Sequence, residues 1–411
     1  MMSRMMSRSS WAALTAVLVL LGQTSAALSS EKKYDEGATD SEILIGNIAA
    51  YSGPASNLGV IGKTHEAYFR KINDEGGING RKIRLISYDD GYSPPKAIEQ
   101  ARKLVENDGV LLIFNSSGTP SNLAIQKYLN GKKVPQLFVA SGSSRWNDPE
   151  NFPWTMGWQP SFLLEGRAYA RYLLDQKPDA KIAVLYQNDD LGKDYLRGLK
   201  DGLGAKATMI VAEESYEVSE PTIDTHIVKL KASGADVFID VAQARFAAQA
   251  IRKISEIGWK PLHIVGSISA SIGTVMQPAG FDKSQGIISV TYLKDSADSQ
   301  WDNDEGMRKF NDFMAKYAPQ LNRFDSVVVG SYGAAQAIVE VLRRCGDNLT
   351  RQNVMKQASS LSGFRTDVML PGISANTTAA DFVPIKQIHL MRIKDSGWEL
   401  FGNLIDAAVA R

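Results

Sequence analysis

One cysteine, Cys345, stands in a chain of 411 residues. An intrachain disulfide is therefore excluded, and stability has to come from buried apolar surface, which a chain of this length can supply. Cys345 falls at the end of the helical pattern Val327–Arg344 and reads as a small core residue rather than a nucleophile. Histidine is scarce too. His65, His226, His263 and His389 are scattered with no i, i+4 partner, so no metal site is expected. There is no basic cluster and the net charge is only +1, which argues against nucleic acid. No apolar run reaches the ~20 residues that span a bilayer. A Gly-x-Ser-x-Gly nucleophile elbow is missing, as are short-period repeats and low-complexity tracts.

What is present is a globular composition, 44% hydrophobic and 22% charged, at a length suited to two domains. The N-terminus reads as a secretory signal: Arg4 and Arg8, an apolar run Trp11–Leu21, then small residues through Ala26 and Ala27. Cleavage near Ala26 is expected, which makes the mature chain an exported one. Residues 28–41 are polar and read as disordered or extended.

From Ile43 onward, apolar runs of strand length alternate with helical patterns. Ile43–Ala50 and Lys82–Tyr88 read as strands, with helices from about Leu58 to Asn73 and from Pro94 to Asn107. The densest signal follows. Val110–Asn115 and Val134–Ala140 are buried-strand runs flanking a helical segment, Ser121–Leu129, and each ends in a serine-rich turn. The turns are Ser116-Ser117-Gly118-Thr119 and Ser141-Gly142-Ser143-Ser144. In a βαβ unit both turns emerge at one sheet edge, where open α/β sheets bind ligands, and hydroxyls with free N–H groups there suit a small anion such as a carboxylate. The same rhythm recurs from Phe162 to Ser267, so two doubly wound units are expected, with the first crossing near Met156–Ser161. Trp158 sits at that crossing, either packed in a core or lining the cleft, and its position favours the cleft.

Several stretches imitate catalytic motifs. Gly62-Lys63-Thr64 ends like a phosphate-binding loop, and Val237–Asp240 imitates its magnesium-binding strand. The leading glycine is replaced by Asn57, and the segment reads as already helical at Lys63, so nucleotide hydrolysis is the disfavoured alternative. Asp302, Asp304 and Glu305 lack calcium-loop spacing and read as an acidic helix start. Asp89-Asp90 and Asp189-Asp190 read as helix caps.

With these features in place, the chain resembles the periplasmic solute-binding proteins of ABC importers, in their leucine/isoleucine/valine-binding branch. The resemblance is carried by ILIGNIAAYSGPASNLG, by the GGINGRKI turn with the DD and PxKA segments after it, by VPQLFVASGSSRW and by YQNDDLGKDYLRGLKDGLG. It implies a type I periplasmic-binding fold: two Rossmann-like lobes joined by three crossing segments, closing over a ligand. Residues 42–159 plus about 290–368 would form the first lobe, and 160–289 plus about 369–411 the second. It implies no enzyme activity, no cofactor and no metal, a monomer, and an ABC permease in the inner membrane as partner. Carried over residue by residue, the ligand's carboxylate would meet Ser116, Ser117, Gly142 and Ser144. Leu58, Phe114 and Trp158 would supply an apolar cradle, and Gln243 and Ser267 would face the ligand from the second lobe. The family's amine-pairing acid has no counterpart in the loop Gly266–Ser271, although Asp240 could reach such an amine. An organic or aromatic acid is therefore favoured, with a branched-chain or other hydrophobic amino acid as the alternative.

Overall fold

The computed structural model describes residues 32–407; the N-terminal signal lies outside them. Two sheets form the framework. In the first, five parallel strands lie in the spatial order Lys82–Asp89, Glu42–Ala49, Leu112–Phe114, Gln136–Val139, Thr155–Gly157. The strand Glu42–Ala49 is buried along nearly its whole length, as a central parallel strand covered on both faces must be. In the second sheet, Ile210–Tyr216, Ile182–Gln187, Val237–Val241, Leu262–Val265 and Ile288–Thr291 repeat that order in parallel. An antiparallel hairpin, Gln387–Lys394 and Gly397–Asp406, is added at its edge. Each sheet therefore has its first and third strands side by side, which is the topological switch point where such sheets open a crevice.

Amphipathic helices cover both faces. In Ala244–Glu256, Phe246, Ala247, Ala250, Ile251 and Ile254 are buried on the sheet side, at the spacing of a helical stripe. The helices Val60–Asp74, Glu305–Tyr317 and Ser326–Cys345 share the core of the first lobe. Cys345 is buried there, its thiol pushed up to about 12 by burial. Asp304 caps its helix by accepting from the Met307 N–H, as an acidic helix start should.

Some expectations are corrected. Of the two readings of residues 28–41 the extended one holds at Lys33–Tyr34, a strand paired with Asn348–Leu349, and Arg81 bonds both Tyr34 and Asp347 beside it. The strand Thr155–Gly157 was not foreseen, because three residues carry no periodicity. Met369, Ile373, Phe382 and Ile385 are buried in the first lobe's core, so the chain crosses for the last time just before Gln387 rather than at 369. Gly62-Lys63-Thr64 lies inside a helix, where Thr64 Oγ1 donates to the Val60 carbonyl, so no loop exists to wrap a phosphate. Asp89 does not cap a helix; it accepts from the N–H groups of Tyr51, Ser52 and Gly91 and ties two turns together. Asp189 does cap one, accepting from Leu191 and Gly192.

Candidate functional site

A cavity of about 140 Å3 lies between the lobes at the two switch points. Leu58, Trp158, Gln243 and Ser267 line it. The other five expected site residues do not, and each is engaged elsewhere. Phe114 is fully buried in the first core, 4.6 Å from the His65 ring. The hydroxyls of Ser116 and Ser117 accept from the N–H groups of Ile48 (3.0 Å) and Ala50 (3.3 Å). They extend the ladder of the central strand beyond Phe114, and Ser117 still bridges Ala140 of the next strand. Gly142 accepts from the Phe162 N–H at 2.8 Å, and a Cβ there would strike Pro160 and the Phe162 ring.

Ser144 holds an anion, but it is the protein's own. Asp194, on the second-lobe helix Asp190–Leu203, receives the Ser144 N–H at 2.7 Å, the Ser144 hydroxyl at 3.1 Å and the Ser143 hydroxyl at 2.9 Å. Arg197 bonds both Asp194 and Ser144, and Arg145 pairs with Asp190 alongside. The second serine turn is thus a latch between lobes.

The hydroxylated residues that line the cavity are the last of the first turn and the first of the second. Thr119 and Ser141 line it with their oxygens 2.8 Å apart. Thr119 is also the first residue of the 14-residue helix Thr119–Lys132, whose positive end is thereby turned to the cavity. Gly118, with φ 86°, makes the bend; a side chain there would hit the Tyr92 ring. In the first turn ladder arithmetic was the missing signal: its two hydroxyls nearest the strand end are consumed by N–H groups of the neighbouring strand.

Tyr92 reaches across from the first lobe and accepts from the side-chain amides of Gln187 (3.2 Å) and Gln243 (3.3 Å). Burial raises its pKa, with Asp189 adding to the effect, so it stays a neutral phenol whose own proton is available to a ligand. Trp158 is buried against Phe138, 5.0 Å between ring centres, and gives the cavity an apolar wall.

Sequence reading missed Glu165, which sits on the first turn of the helix Phe162–Gln176. It accepts from the Ser267 N–H (3.1 Å), the Ser267 hydroxyl (2.7 Å), Tyr195 (2.7 Å) and Tyr169 (3.3 Å). Burial pushes its carboxyl up to about 7, against the opposing pull of those hydrogen bonds. Asp240, the acid thought able to reach an amine, does not line the cavity; it is fully buried on the far face of its strand, 3.6 Å from His263. None of the four histidines lines the cavity either.

The chamber thus sets hydroxyl donors and a helix N-terminus on the first lobe against an amide and a carboxyl-backed serine on the second. Comparison with known proteins agrees with this architecture. Residues 42–397 match the periplasmic binding protein family. The chain is 28% identical over 341 residues to Leu/Ile/Val-binding protein homolog 1 of Brucella suis, across 80% of this chain and 85% of that one. A branched-chain amino acid ABC transporter protein from Thermus thermophilus, solved with bound valine, matches with a TM-score of 0.81 at 18% identity, covering 91% of this chain and 99% of that one. A fatty acid ABC transporter substrate-binding protein from Thermomonospora curvata matches with a TM-score of 0.78 at 20% identity, covering 92% and 96%. At such identities the structural likeness speaks for the fold. The two-lobed architecture, the cavity at the paired switch points and the match across residues 42–397 converge: the chain belongs to the periplasmic binding protein family, a family of extracytoplasmic solute-binding proteins.

Proposed function

We propose that this protein is the solute-binding component of an ABC importer and captures a compact carboxylate-bearing ligand, an aliphatic or aromatic organic acid. The observation that carries this reading is the Thr119–Ser141 hydroxyl pair at a helix N-terminus, beside the apolar side chains of Leu58, Ile61 and Trp158. Neutral donors satisfy a buried anion without a counter-charge, each hydrogen bond to a charged group contributing roughly 1.5–3 kcal/mol. The cavity volume of about 140 Å3 limits the cargo. It is close to the ~150 Å3 of a cavity that holds benzene, so one aryl ring or one branched aliphatic chain fits and a long-chain acid does not.

A second reading, a branched-chain or other hydrophobic amino acid, is favoured by one observation: the Glu165 carboxyl stands directly behind Ser267 in the cavity wall. The names of the Brucella and Thermus relatives point the same way. In either case the N-terminal signal is cleaved near Ala26, the mature chain acts as a monomer, and the closed lobes deliver the ligand to a membrane permease driven by a cytoplasmic ATPase.

Titration calorimetry of the mature chain tests the carboxylate. Probes are 4-methylpentanoate, phenylacetate and leucine, each beside its amide. The acids bind and the amides lose at least about tenfold, the loss of one charged hydrogen bond. Equal binding of acid and amide refutes the carboxylate seat. In cells, deleting the permease abolishes uptake while leaving binding intact; uptake that survives refutes the transport role.

A further inference from the structure

Ser267 and Glu165 form a unit that the carboxylate reading does not use. Ser267 is part-exposed in the cavity wall, whereas Glu165 is buried behind it and does not line the cavity. The serine hydroxyl has one proton, and the carboxylate 2.7 Å away accepts it. Every other contact of Glu165 is also with a donor: the Ser267 N–H and the phenols of Tyr195 and Tyr169. Burial, with Glu165 next in effect, holds both phenols protonated. An ionised Glu165 therefore fixes the direction of the Ser267 proton, and what Ser267 has left for the cavity is lone pairs.

We infer that Glu165 holds Ser267 as a hydrogen-bond acceptor, so that the second lobe selects a ligand carrying a hydroxyl or ammonium donor beside its carboxylate. This rests on the carboxylate reading above and narrows it: 2-hydroxy acids and amino acids are accepted, and the matching 2-oxo acids, which offer no donor, are discriminated against. Glu165 is a positioning residue here, acting through Ser267 rather than by touching the ligand.

The unit also responds to acid. The titratable groups facing Glu165 are Tyr169 on its own helix, Tyr195 on the helix Asp190–Leu203 and Tyr292 after the strand Ile288–Thr291. Among the described residues no cation pairs with it. With its carboxyl raised to about 7, Glu165 becomes protonated in mild acid. It then donates to the Ser267 oxygen, and Ser267 is free to donate into the cavity instead. The preference for a ligand donor is present above pH 7 and lost below it.

Calorimetry of the mature chain with ligands of one skeleton tests this: 2-hydroxy-4-methylpentanoate, 4-methyl-2-oxopentanoate, leucine and plain 4-methylpentanoate, with mandelate and phenylglyoxylate as an aryl pair. At pH 8.5 at least one donor-bearing ligand binds at least about tenfold more tightly than its oxo partner, the difference one charge-assisted hydrogen bond makes. Leucine ahead of the hydroxy acid identifies the donor as ammonium, and the reverse order as hydroxyl. At pH 5.5 the hydroxy-to-oxo ratio collapses toward one. Glu165→Gln, whose amide donates to Ser267, abolishes the preference at both pH values, and Ser267→Ala equalises the pair. A flat ratio in the wild type at pH 8.5, or an unchanged ratio in Ser267→Ala, overturns the inference. If 4-methylpentanoate binds while the ratios are flat, only this inference falls; if no acid binds, the carboxylate reading falls with it. Should Glu165→Gln not fold, Ser267→Ala and the wild-type pH profile decide.

Discussion

Each lobe buries a titratable side chain beneath its part of the framework, and the two are handled in opposite ways. In the first lobe His65 is fully buried against Phe114, and neither ring nitrogen has a hydrogen-bond partner. Burial drives its pKa down to about 3, against the opposing effect of the Ser331 backbone. In the second lobe Glu165 is equally buried but is met by donors on every side, and its pKa is raised to about 7. His65 serves as shape, a flat ring that stays neutral at any ordinary pH. Glu165 is poised to change charge, and its contact with Ser267 brings that change to the cavity wall. The difference shows that burial alone does not mark a functional acid or base; the neighbours through which its charge can be felt do.

The widest test of the contrast between donor wall and acceptor wall is to remove the donors. Thr119→Ala with Ser141→Ala loses about 1.5–3 kcal/mol of binding free energy for any carboxylate ligand, one charged hydrogen bond, since the pair spends its other proton on its mutual bond; folding stability falls as well, because the Ser143 N–H loses its acceptor. Calorimetry against thermal melts separates the two effects. The next test concerns His65. Its pKa is near 6.5 when unfolded and about 3 when folded, so below pH 6.5 the unfolded chain takes up a proton that the native chain refuses. Stability is fully retained above pH 6.5 and falls by about 5 kcal/mol on approach to pH 3, as a 3.5-unit shift requires. Urea midpoints from pH 7 to pH 4 should fall less steeply in His65→Leu than in the wild type.

Glu165 sharpens the comparison by having the opposite sign. Its folded pKa of about 7 exceeds the 4.5 of an ordinary glutamate, so the native chain binds more protons between those values. Stability is highest below pH 4.5 and drops by about 3 kcal/mol as pH rises through 7. In Glu165→Gln that slope disappears, and a wild-type slope unchanged by the substitution would show that the carboxyl is not raised. The smallest effect concerns the latch. Asp194→Asn weakens the contact with Ser143 and Ser144 and costs about 1–2 kcal/mol of lobe closure, read as slightly weaker binding and a larger radius of gyration in X-ray scattering.

Much of the framework was legible in the amino-acid order. Apolar runs such as Glu42–Ala49 and the stripe of Ala244–Glu256 declare strand and helix by their period, and Cys345 was read as a core residue. The serine turns marked the correct edge of the first sheet but not the correct atoms. Ser116 and Thr119 look alike in a string, yet one hydroxyl is spent on the Ile48 N–H and the other pairs with Ser141 in the cavity wall. That choice depends on where the neighbouring strand stops. Asp194 and Glu165 were invisible as site residues for a related reason: the groups they serve lie 50 and 102 positions away, and only the closed fold brings them together.

The hydrogen bond from the Phe162 N–H to Gly142 has a mechanical meaning. It clamps the first crossing segment to the donor wall as far as the first residue of the helix Phe162–Gln176. Beyond that pin the helix is a lever arm, and Glu165, one turn along it, travels with the acceptor wall. For a ligand seated as proposed, separation of the lobes draws its two polar ends apart. Under that proposal a cargo held at both ends opposes separation of the lobes, whereas one held at a single end stays with the wall that holds it.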